Sequence, residues 1–333
     1  MNLILVAVVA LVAVILVTLI GMYLYPKLNW MDKPDLYGHD RDPVPYSFGM
    51  ALFLVLIITG FCFLGLDTKW LSVLVASGIL VLVSFLDDRY KLSPVLRFGV
   101  QLICACIVVS SGSEVMEISN PFGEHNFELG MIAYAFTVIW IVALTNLVNF
   151  LDGVSGLSSG VSAIGFWVLF GLSIWPNMHF TDQTLVSVLA LIMAIIASSA
   201  AVFEFPKPKF LIGDSGSMFF GFMLGVLSVA NGGKLATILL VLLVPILDGT
   251  WVIFRRLYNK QKPWKGDLLH FHHRLLDMGF SERKLLIIYY ILSVAFGLIA
   301  LFVWNTFFKV VSLLILFSGF VLTGYYVWIQ GKK

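Results

Sequence analysis

The 333-residue sequence is poor in charged side chains and has only three cysteines. Asp, Glu, Lys and Arg together make up 12% of the residues, about half of the ~25% that is typical of a soluble domain, which excludes a water-soluble fold. Cys62, Cys104 and Cys106 all lie inside apolar runs, so neither a disulfide framework nor a cysteine metal site is indicated. Apolar residues, in contrast, make up 60% of the chain, and the mean hydropathy is +0.97. The composition therefore predicts a membrane protein.

Eleven apolar runs are candidates for transmembrane helices, each of which needs about 20 apolar residues. They lie near residues 3–20, 48–66, 71–86, 96–111, 131–150, 160–175, 184–203, 217–231, 235–254, 285–304 and 308–328. The first run has no basic residue before it and no small-residue cleavage site after it, so we expect it to be retained rather than removed as a signal peptide. These runs predict an all-α polytopic membrane protein of about 11 transmembrane helices, with a single integral-membrane domain over residues 1–333.

The distribution of Lys and Arg predicts the orientation of the helices. The loops after odd-numbered helices and the C-terminal tail contain all of the 21 basic residues except Lys69, Lys234 and Lys309. By the positive-inside rule, we expect the N-terminus outside and the C-terminus in the cytoplasm. The inner loops are net positive and the outer loops net negative, which indicates that an anionic compound is handled on the inner side.

One outer loop has a strand-like pattern. Two alternating segments flank the turn sequence Asn120-Pro121-Phe122-Gly123. This arrangement predicts a small external β-hairpin near residues 114–129.

The first of four polar clusters at predicted cytoplasmic helix ends is an acidic pair. Asp87 and Asp88 directly follow the third apolar run, and Arg89 and Lys91 come next. Adjacent carboxylates repel each other unless a cation or a basic neighbour offsets them. The pair is therefore either part of a cation-dependent site or an interfacial cap with positive-inside charge beside it.

The second cluster closes the fifth apolar run. Asn146 and Asn149 are three residues apart and share one helix face, which Asp152 continues for another turn. Two amides and a carboxylate in line form an oxygen-rich stripe suited to a hard cation. Gly153 and Gly156 allow a sharp turn or a close ligand. The alternative is hydrogen bonding between membrane helices, which Asn often provides.

The third cluster, Gly213-Asp214-Ser215-Gly216-Ser217, opens the eighth helix. A glycine-rich helix start offers backbone N–H groups to an anion, and Asp214 can hold a metal ion that binds the same anion. Plain helix capping by Asp or Ser is the alternative explanation.

The fourth cluster lies in the longest inner loop, where Arg255 and Arg256 precede a histidine-rich segment. That segment contains Asp267, His270, His272, His273 and Arg274. Adjacent histidines rarely converge on one ion and no cysteine is nearby, which argues against a zinc site. A cradle of His and Arg for an anion fits better, and an ordinary solvated basic loop is the alternative.

All four clusters fall on the predicted cytoplasmic side, where the catalytic loops are expected near residues 26–47, 87–95, 151–159, 204–216 and 255–284. Carboxylates, amides, a glycine-rich helix start and a His/Arg loop are the parts of a site for Mg²⁺-assisted phosphoryl transfer. At a membrane surface, such a site would join a soluble nucleotide compound to a lipid.

In the same order, these motifs resemble the four cytoplasmic signatures of the polyprenyl-phosphate N-acetylhexosamine-1-phosphate transferases. The run His270 to Leu275 is similar to that of the bacterial enzymes that use UDP-GlcNAc to begin O-antigen, common-antigen or teichoic-acid synthesis. The resemblance implies a multi-pass enzyme of the bacterial inner membrane with its active site facing the cytoplasm. It further implies transfer of GlcNAc-1-phosphate from UDP-GlcNAc to undecaprenyl phosphate with release of UMP, the first membrane step of a cell-envelope glycan.

The resemblance also implies roles for individual residues. Asp214 and Asn149 are the expected ligands of Mg²⁺, with Mn²⁺ as the alternative metal. Asp87, Asp88, Asp152 and His270 are the expected catalytic residues, and Asp87 either activates or orients the lipid phosphate, which is already mostly ionised at pH 7. The expected substrate-binding residues are Lys33, Lys91, Asn146, Asn149, Asp267, His272, His273 and Arg274. Glu204 stands near the place of an Asn that helps to recognise uracil in the family.

Other functions remain open at this point. The same chemistry with another UDP-N-acetylhexosamine donor is one, and an ion-coupled transporter is another. A transporter predicts charges near helix midpoints, whereas Asp248 is the one carboxylate well inside an apolar run. A non-catalytic lipid-binding protein gives no reason for an acidic stripe beside a His/Arg loop. No nucleic-acid partner is expected, and a homodimer is the open alternative to a monomer.

Overall fold

The computed structural model describes residues 1–34, 41–118, 120, 123, 125–175, 183–231, 235–243, 246–247, 280–303, 307–315 and 318–319. The chain divides into two compact units. One contains Met1–Ile118 and Glu128–Lys234, and the other contains Ser119–Phe127 and Leu235–Lys333. The single domain inferred from the sequence stays a prediction.

The first unit is built from eight α-helices over its described residues. These are α1 (Leu3–Lys27), α2 (Gly49–Leu64), α3 (Thr68–Tyr90), α4 (Pro94–Ser110), α5 (Ala133–Phe150), α6 (Leu157–Ser173), α7 (Thr184–Glu204) and α8 (Gly213–Ala230). In the second unit, α9 (Leu235–Val241) packs against α10 (Glu282–Phe302).

Six helical segments among the described residues are long and apolar enough to cross a membrane. They are Leu3–Lys27, Thr68–Tyr90, Gly130–Phe150, Thr184–Glu204, Gly213–Ala230 and Glu282–Phe302. Three shorter apolar helices lie at Gly49–Leu64, Pro94–Ser110 and Leu157–Ser173. A mostly helical membrane protein is thus confirmed, while the number of spans and the orientation stay predictions.

Local sequence explains where several helices begin. The Asn2 side chain accepts hydrogen bonds from the N–H groups of Ile4 and Leu5 at the start of α1. Ser93 accepts the N–H of Leu96 at 3.2 Å and Pro94 opens α4, so both usual helix-start signals are present there.

The helix α8 forms the core of the first unit, because nearly all of its residues are buried. Glycines on one of its faces allow the backbone of α5 to come close. A Cβ atom on Gly221 would lie 2.6 Å from the Leu144 carbonyl oxygen, and one on Gly225 would lie 3.0 Å from the Ile141 Cα. Small residues serve this purpose in membrane helix packing. Here the close contact places the C-terminal end of α5 beside the N-terminal end of α8.

The β-structure expected near residues 114–129 is present. Two short strands, Glu117–Ile118 and Phe127–Glu128, form a two-stranded sheet. The N–H of Leu129 donates to the Met116 carbonyl oxygen at 2.9 Å beside it. The external position of this sheet stays a prediction.

Candidate functional site

Three of the four polar clusters meet at the N-terminus of α8. The acidic pair comes from the end of α3, the amides from the end of α5, and the glycine-rich motif from α8 itself. The fourth cluster, with Asp267, His270, His272, His273 and Arg274, lies outside the described residues. Its part in the site stays a prediction.

Asp88 caps α8 from outside that helix. Its Oδ1 accepts the Tyr46 hydroxyl at 3.0 Å and the Asp214 N–H at 3.1 Å. Its Oδ2 accepts the Ser47 hydroxyl at 2.5 Å and the Ser215 N–H at 3.3 Å. A carboxylate is favourable at a helix N-terminus, where backbone N–H groups are otherwise unsatisfied. The glycine-rich motif therefore does bind an anion, and for these two N–H groups the anion is a side chain of the protein.

Glycines let the surrounding segments come this close. Gly213 has a φ of +65°, and a Cβ atom there would lie 2.8 Å from the Asp88 Oδ2. A Cβ atom on Gly49 would lie 2.2 Å from the Gly216 nitrogen. The Gly49 N–H also donates to the Ile212 carbonyl oxygen at 3.1 Å, so the start of α2 is fixed against the start of α8.

Arg97 joins two carboxylates at the same place. One of its guanidinium nitrogens lies 2.8 Å from the Asp87 Oδ2, and another lies 3.3 Å from the Asp214 Oδ2. Asp87 is buried, and its Oδ1 accepts the N–H of Leu92 at 2.6 Å. Both oxygens of Asp87 are thus engaged, which fits an orienting role better than that of a free base.

Arg97 is not among the site residues inferred from the sequence. The signal that would have found it is its place in the first turn of α4, directly after the acidic pair and its loop. An arginine this close in sequence to two carboxylates is a candidate to pair with one of them.

The predicted metal pair is adjacent. The Asn149 side-chain amide donates to the Asp214 Oδ1 at 3.0 Å and to the Ser217 hydroxyl at 2.9 Å. Asp214 is therefore held from two sides, by Asn149 of α5 and by Arg97 of α4.

Asp152 lies in an unfavourable electrostatic environment. Loss of solvent raises its pKa above the ordinary value, and the negative charges of Glu204, Asp214 and Asp88 raise it further. Within the described ranges, no hydrogen bond or ion pair to its carboxylate offsets this repulsion. A bound cation would do so.

Glu204 is fully buried at the end of α7 and ties two segments together. Its carboxylate accepts the Ser159 hydroxyl at 2.6 Å and the Ile212 N–H at 3.2 Å. It also accepts a backbone hydrogen bond from Gly156. These contacts connect the start of α6 to the segment before α8.

Among the described residues, Lys33, Lys91 and Asn146 form no hydrogen bond or ion pair with Asp214. Lys33 and Lys91 are exposed. In the part of the chain that the structure describes, neither lysine forms an ion pair with the carboxylates named above. Lys91 follows the last residue of α3 and lies in the left-handed region, with a φ of +54°, and it donates its N–H to the Asp87 carbonyl oxygen at 2.9 Å. Asn146 contacts Gln101 of α4 rather than a carboxylate.

The donor set fits a hard cation such as Mg²⁺. The described residues contain no group of three or more His, Cys, Asp or Glu side chains that could hold a metal ion. Mg²⁺ is usually bound through one or two carboxylates, with water and substrate phosphate completing its shell. Asp214, Asn149 and Asp152 offer carboxylate and amide oxygens of this kind.

Replacement of Arg97 should lower stability. We expect Arg97→Met to lower the free energy of unfolding by about 1–3 kcal/mol, because Asp87 is left buried without its partner. A fully buried pair costs about 3–5 kcal/mol to break, but 29% of the Arg97 side chain is exposed. Thermal unfolding in detergent measures the effect. Arg97→Lys is the control and should keep most of the stability, and equal melting temperatures for all three proteins would contradict the prediction.

Comparison with known proteins places the site in a family context. Residues 70–232 match the model of glycosyl transferase family 4, and this segment contains Asp87, Asp88, Arg97, Asn149 and Asp214. The chain is 32% identical, over 94% of its length and 89% of the relative, to a probable undecaprenyl-phosphate N-acetylglucosaminyl 1-phosphate transferase of Bacillus subtilis.

Two further relatives have related names. One is an undecaprenyl-phosphate alpha-N-acetylglucosaminyl 1-phosphate transferase of Salmonella typhi, 28% identical over 78% of this chain and 72% of the relative. The other is a decaprenyl-phosphate N-acetylglucosaminephosphotransferase of Mycolicibacterium smegmatis, 28% identical over 78% of this chain and 73% of the relative.

Proposed function

Because this chain belongs to glycosyl transferase family 4, we propose that it transfers GlcNAc-1-phosphate from UDP-GlcNAc to undecaprenyl phosphate. The products are undecaprenyl-diphosphate-GlcNAc and UMP. The observation that carries the proposal is the position of Asp214, which begins a buried helix and is held by Arg97 and Asn149. The names of the relatives support the same transferred group and the same acceptor.

The reaction exchanges one phosphoanhydride bond for another. An oxygen of the lipid phosphate attacks the β-phosphorus of UDP-GlcNAc, and the bond from that phosphorus to the bridging oxygen breaks, so that UMP leaves with the electron pair. Asp214, Asn149 and Asp152 would hold Mg²⁺, which when bound offsets the charge of the pyrophosphate. The protein's own part is to place these groups, since phosphoryl transfer depends mainly on positioning and electrostatic stabilisation.

Asp87 orients rather than deprotonates in this proposal. Its oxygens are engaged by Arg97 and by the Leu92 N–H. A phosphate monoester has a second pKa near 6 and needs no base at neutral pH. Asp87 therefore holds the Arg97 guanidinium beside Asp214, where that cation is available to a phosphate group.

The proposal includes location and partners. The distribution of Lys and Arg supports a multi-pass protein of the bacterial cytoplasmic membrane with this site on the inner side. UDP-GlcNAc would then enter from the cytoplasm and undecaprenyl phosphate from the bilayer. The predicted loop residues His270, His272, His273 and Arg274 would add contacts to phosphate and sugar, with Asp267 near them.

Replacement of Asp152 should lower the activity of the protein without lowering its stability. We expect Asp152→Asn to lower turnover by about a hundredfold or more, while the melting temperature stays the same or rises, because one of several repelling charges is removed. Glu204→Gln is the matched control. That carboxylate accepts hydrogen bonds from three groups, so its replacement should lower the melting temperature. Full turnover of Asp152→Asn would remove Asp152 from the reacting site.

The donor is tested with purified protein in detergent, supplied with Mg²⁺ and undecaprenyl phosphate. UDP-GlcNAc, UDP-GalNAc and UDP-MurNAc-pentapeptide are offered in parallel and released UMP is measured. UMP from UDP-GlcNAc alone is expected. Release from another donor would keep the reaction and change the specificity. No release from any donor would overturn the proposal.

A further inference from the structure

A reciprocal amide pair lies one helical turn inside the site. The Asn146 amide donates to the Gln101 side-chain oxygen at 2.6 Å, and the Gln101 amide donates back to the Asn146 side-chain oxygen at 3.3 Å. Asn146 also donates to the Val142 carbonyl oxygen at 2.8 Å. Both N–H groups of Asn146 are therefore used within the protein, and Gln101 is only 2% exposed.

The pair repeats the helix arrangement that surrounds Asp214. On α4, Gln101 is four residues after Arg97, and on α5, Asn146 is three residues before Asn149. Residues at these spacings share one helix face. At the site, α4 and α5 are joined through Asp214, which contacts both Arg97 and Asn149. One turn farther along the same two helices, Gln101 and Asn146 join them directly.

The helix α8 also contacts this amide pair. Met218 is four residues after Asp214 on α8, and its sulfur lies 3.8 Å from the Gln101 amide nitrogen. The Ser84 hydroxyl of α3 lies 3.2 Å from the same sulfur. Gln101 therefore contacts both α5 and α8, and Met218 links it to α3. A different orientation of the Gln101 amide would lose the Asn146 contacts.

We infer that Gln101 and Asn146 form a positioning pair, which fixes α4 against α5 so that Arg97 and Asn149 reach Asp214 from opposite sides. Asn146 then acts through Gln101 and does not contact the donor substrate. The inference rests on the proposed function for its kinetic part. Its metal-binding part does not depend on that function, because the same helix contacts hold Asp214 and Asn149, the proposed ligands of Mg²⁺.

Four variants test the pair: Gln101→Met, Asn146→Leu, the double variant that combines these two substitutions, and the exchange of Gln101→Asn with Asn146→Gln. For each we measure kcat, the KM for UDP-GlcNAc, and the Mg²⁺ concentration that gives half of the maximal rise in melting temperature without substrate. Each single variant should lower kcat about 10- to 100-fold, the usual effect of a displaced catalytic group. It should also raise the required Mg²⁺ concentration about tenfold or more. The KM for UDP-GlcNAc should change less than about twofold, since uniform substrate binding is untouched.

Non-additivity and rescue are the decisive results. The double variant should be no worse than the worse single variant, because residues that act as a unit are not additive. The exchanged pair should recover most of the Mg²⁺ response, and it decides the matter if the single variants do not fold.

Asn231→Ala is the control, because Asn231 is a buried amide at the other end of α8 that donates to the Leu169 carbonyl oxygen. It should lower the melting temperature and leave kcat and the Mg²⁺ response unchanged.

Two results would overturn the inference. The first is a large rise in the KM for UDP-GlcNAc in Asn146→Leu but not in Gln101→Met, which would make Asn146 a substrate contact. The second is an unchanged Mg²⁺ response in all folded variants, which would leave the pair a purely structural role. If the wild-type protein releases no UMP, the proposed function fails, but the Mg²⁺-dependent melting still tests the positioning pair.

Discussion

Asp214→Asn should lower turnover by about a hundredfold or more while the protein stays folded. Both Arg97 and Asn149 contact this carboxylate, and an amide in its place removes a negative charge where a divalent cation is proposed. The side-chain shape is nearly unchanged, so helix packing should survive. UMP release at several Mg²⁺ concentrations measures the loss, and the melting temperature verifies folding.

A conservative variant sharpens this experiment. Ser217→Ala removes the hydroxyl that accepts a hydrogen bond from Asn149 but leaves the carboxylate in place, so its turnover should fall far less than that of Asp214→Asn. Equal turnover of Asp214→Asn and the wild type would remove Asp214 from the metal site. Loss of turnover only together with loss of the folded state would make its role structural.

Asp88→Asn should lower both stability and turnover. Both oxygens of Asp88 accept hydrogen bonds, four in total, from Tyr46, Ser47 and two backbone N–H groups. An amide has one acceptor oxygen, and its NH₂ group would face donors. We expect a loss of about 1–3 kcal/mol in the free energy of unfolding, the usual cost of leaving a buried polar group unsatisfied. Turnover should fall because the Asp214 backbone loses its anchor.

The same substitution at another helix cap provides the control. Asp67 caps α3 with one oxygen, which accepts the N–H of Trp70 at 2.9 Å. Asn is as good an N-cap as Asp, so Asp67→Asn should change neither stability nor turnover. Thermal unfolding and UMP release of the two variants, measured side by side, decide the point. Equal behaviour of the two variants would show that Asp88 is an ordinary cap.

Much of the fold follows from the distribution of apolar residues. The first apolar run and α1 (Leu3–Lys27) coincide at their start, and the run at 184–203 corresponds closely to α7 (Thr184–Glu204). The run at 217–231, however, misses the first turn of α8, which begins at Gly213. That turn contains polar residues because it is part of the site, and hydropathy alone does not identify a buried polar helix start.

The site is predictable in its motifs but not in its pairings. The spacing of Asn149 and Asp152, and the motif around Asp214, indicate an oxygen-rich site from local sequence. Local sequence does not reveal that Asp88 accepts the N–H of Asp214, 126 residues away. Nor does it show that Gln101 pairs with Asn146. Such contacts depend on which helices are neighbours, and that is set by packing of the whole unit.

The fate of the β-phosphorus of the donor tests the central claim most directly. Purified protein is given undecaprenyl phosphate, Mg²⁺ and UDP-GlcNAc labelled at that phosphorus, and the label is followed into the organic extract. We predict that the label enters the lipid together with the sugar, that UMP is released, and that chelation of the metal stops both. Label retained in the water phase as UDP, with sugar in the lipid, would mean that the sugar is transferred without its phosphate and would contradict the account.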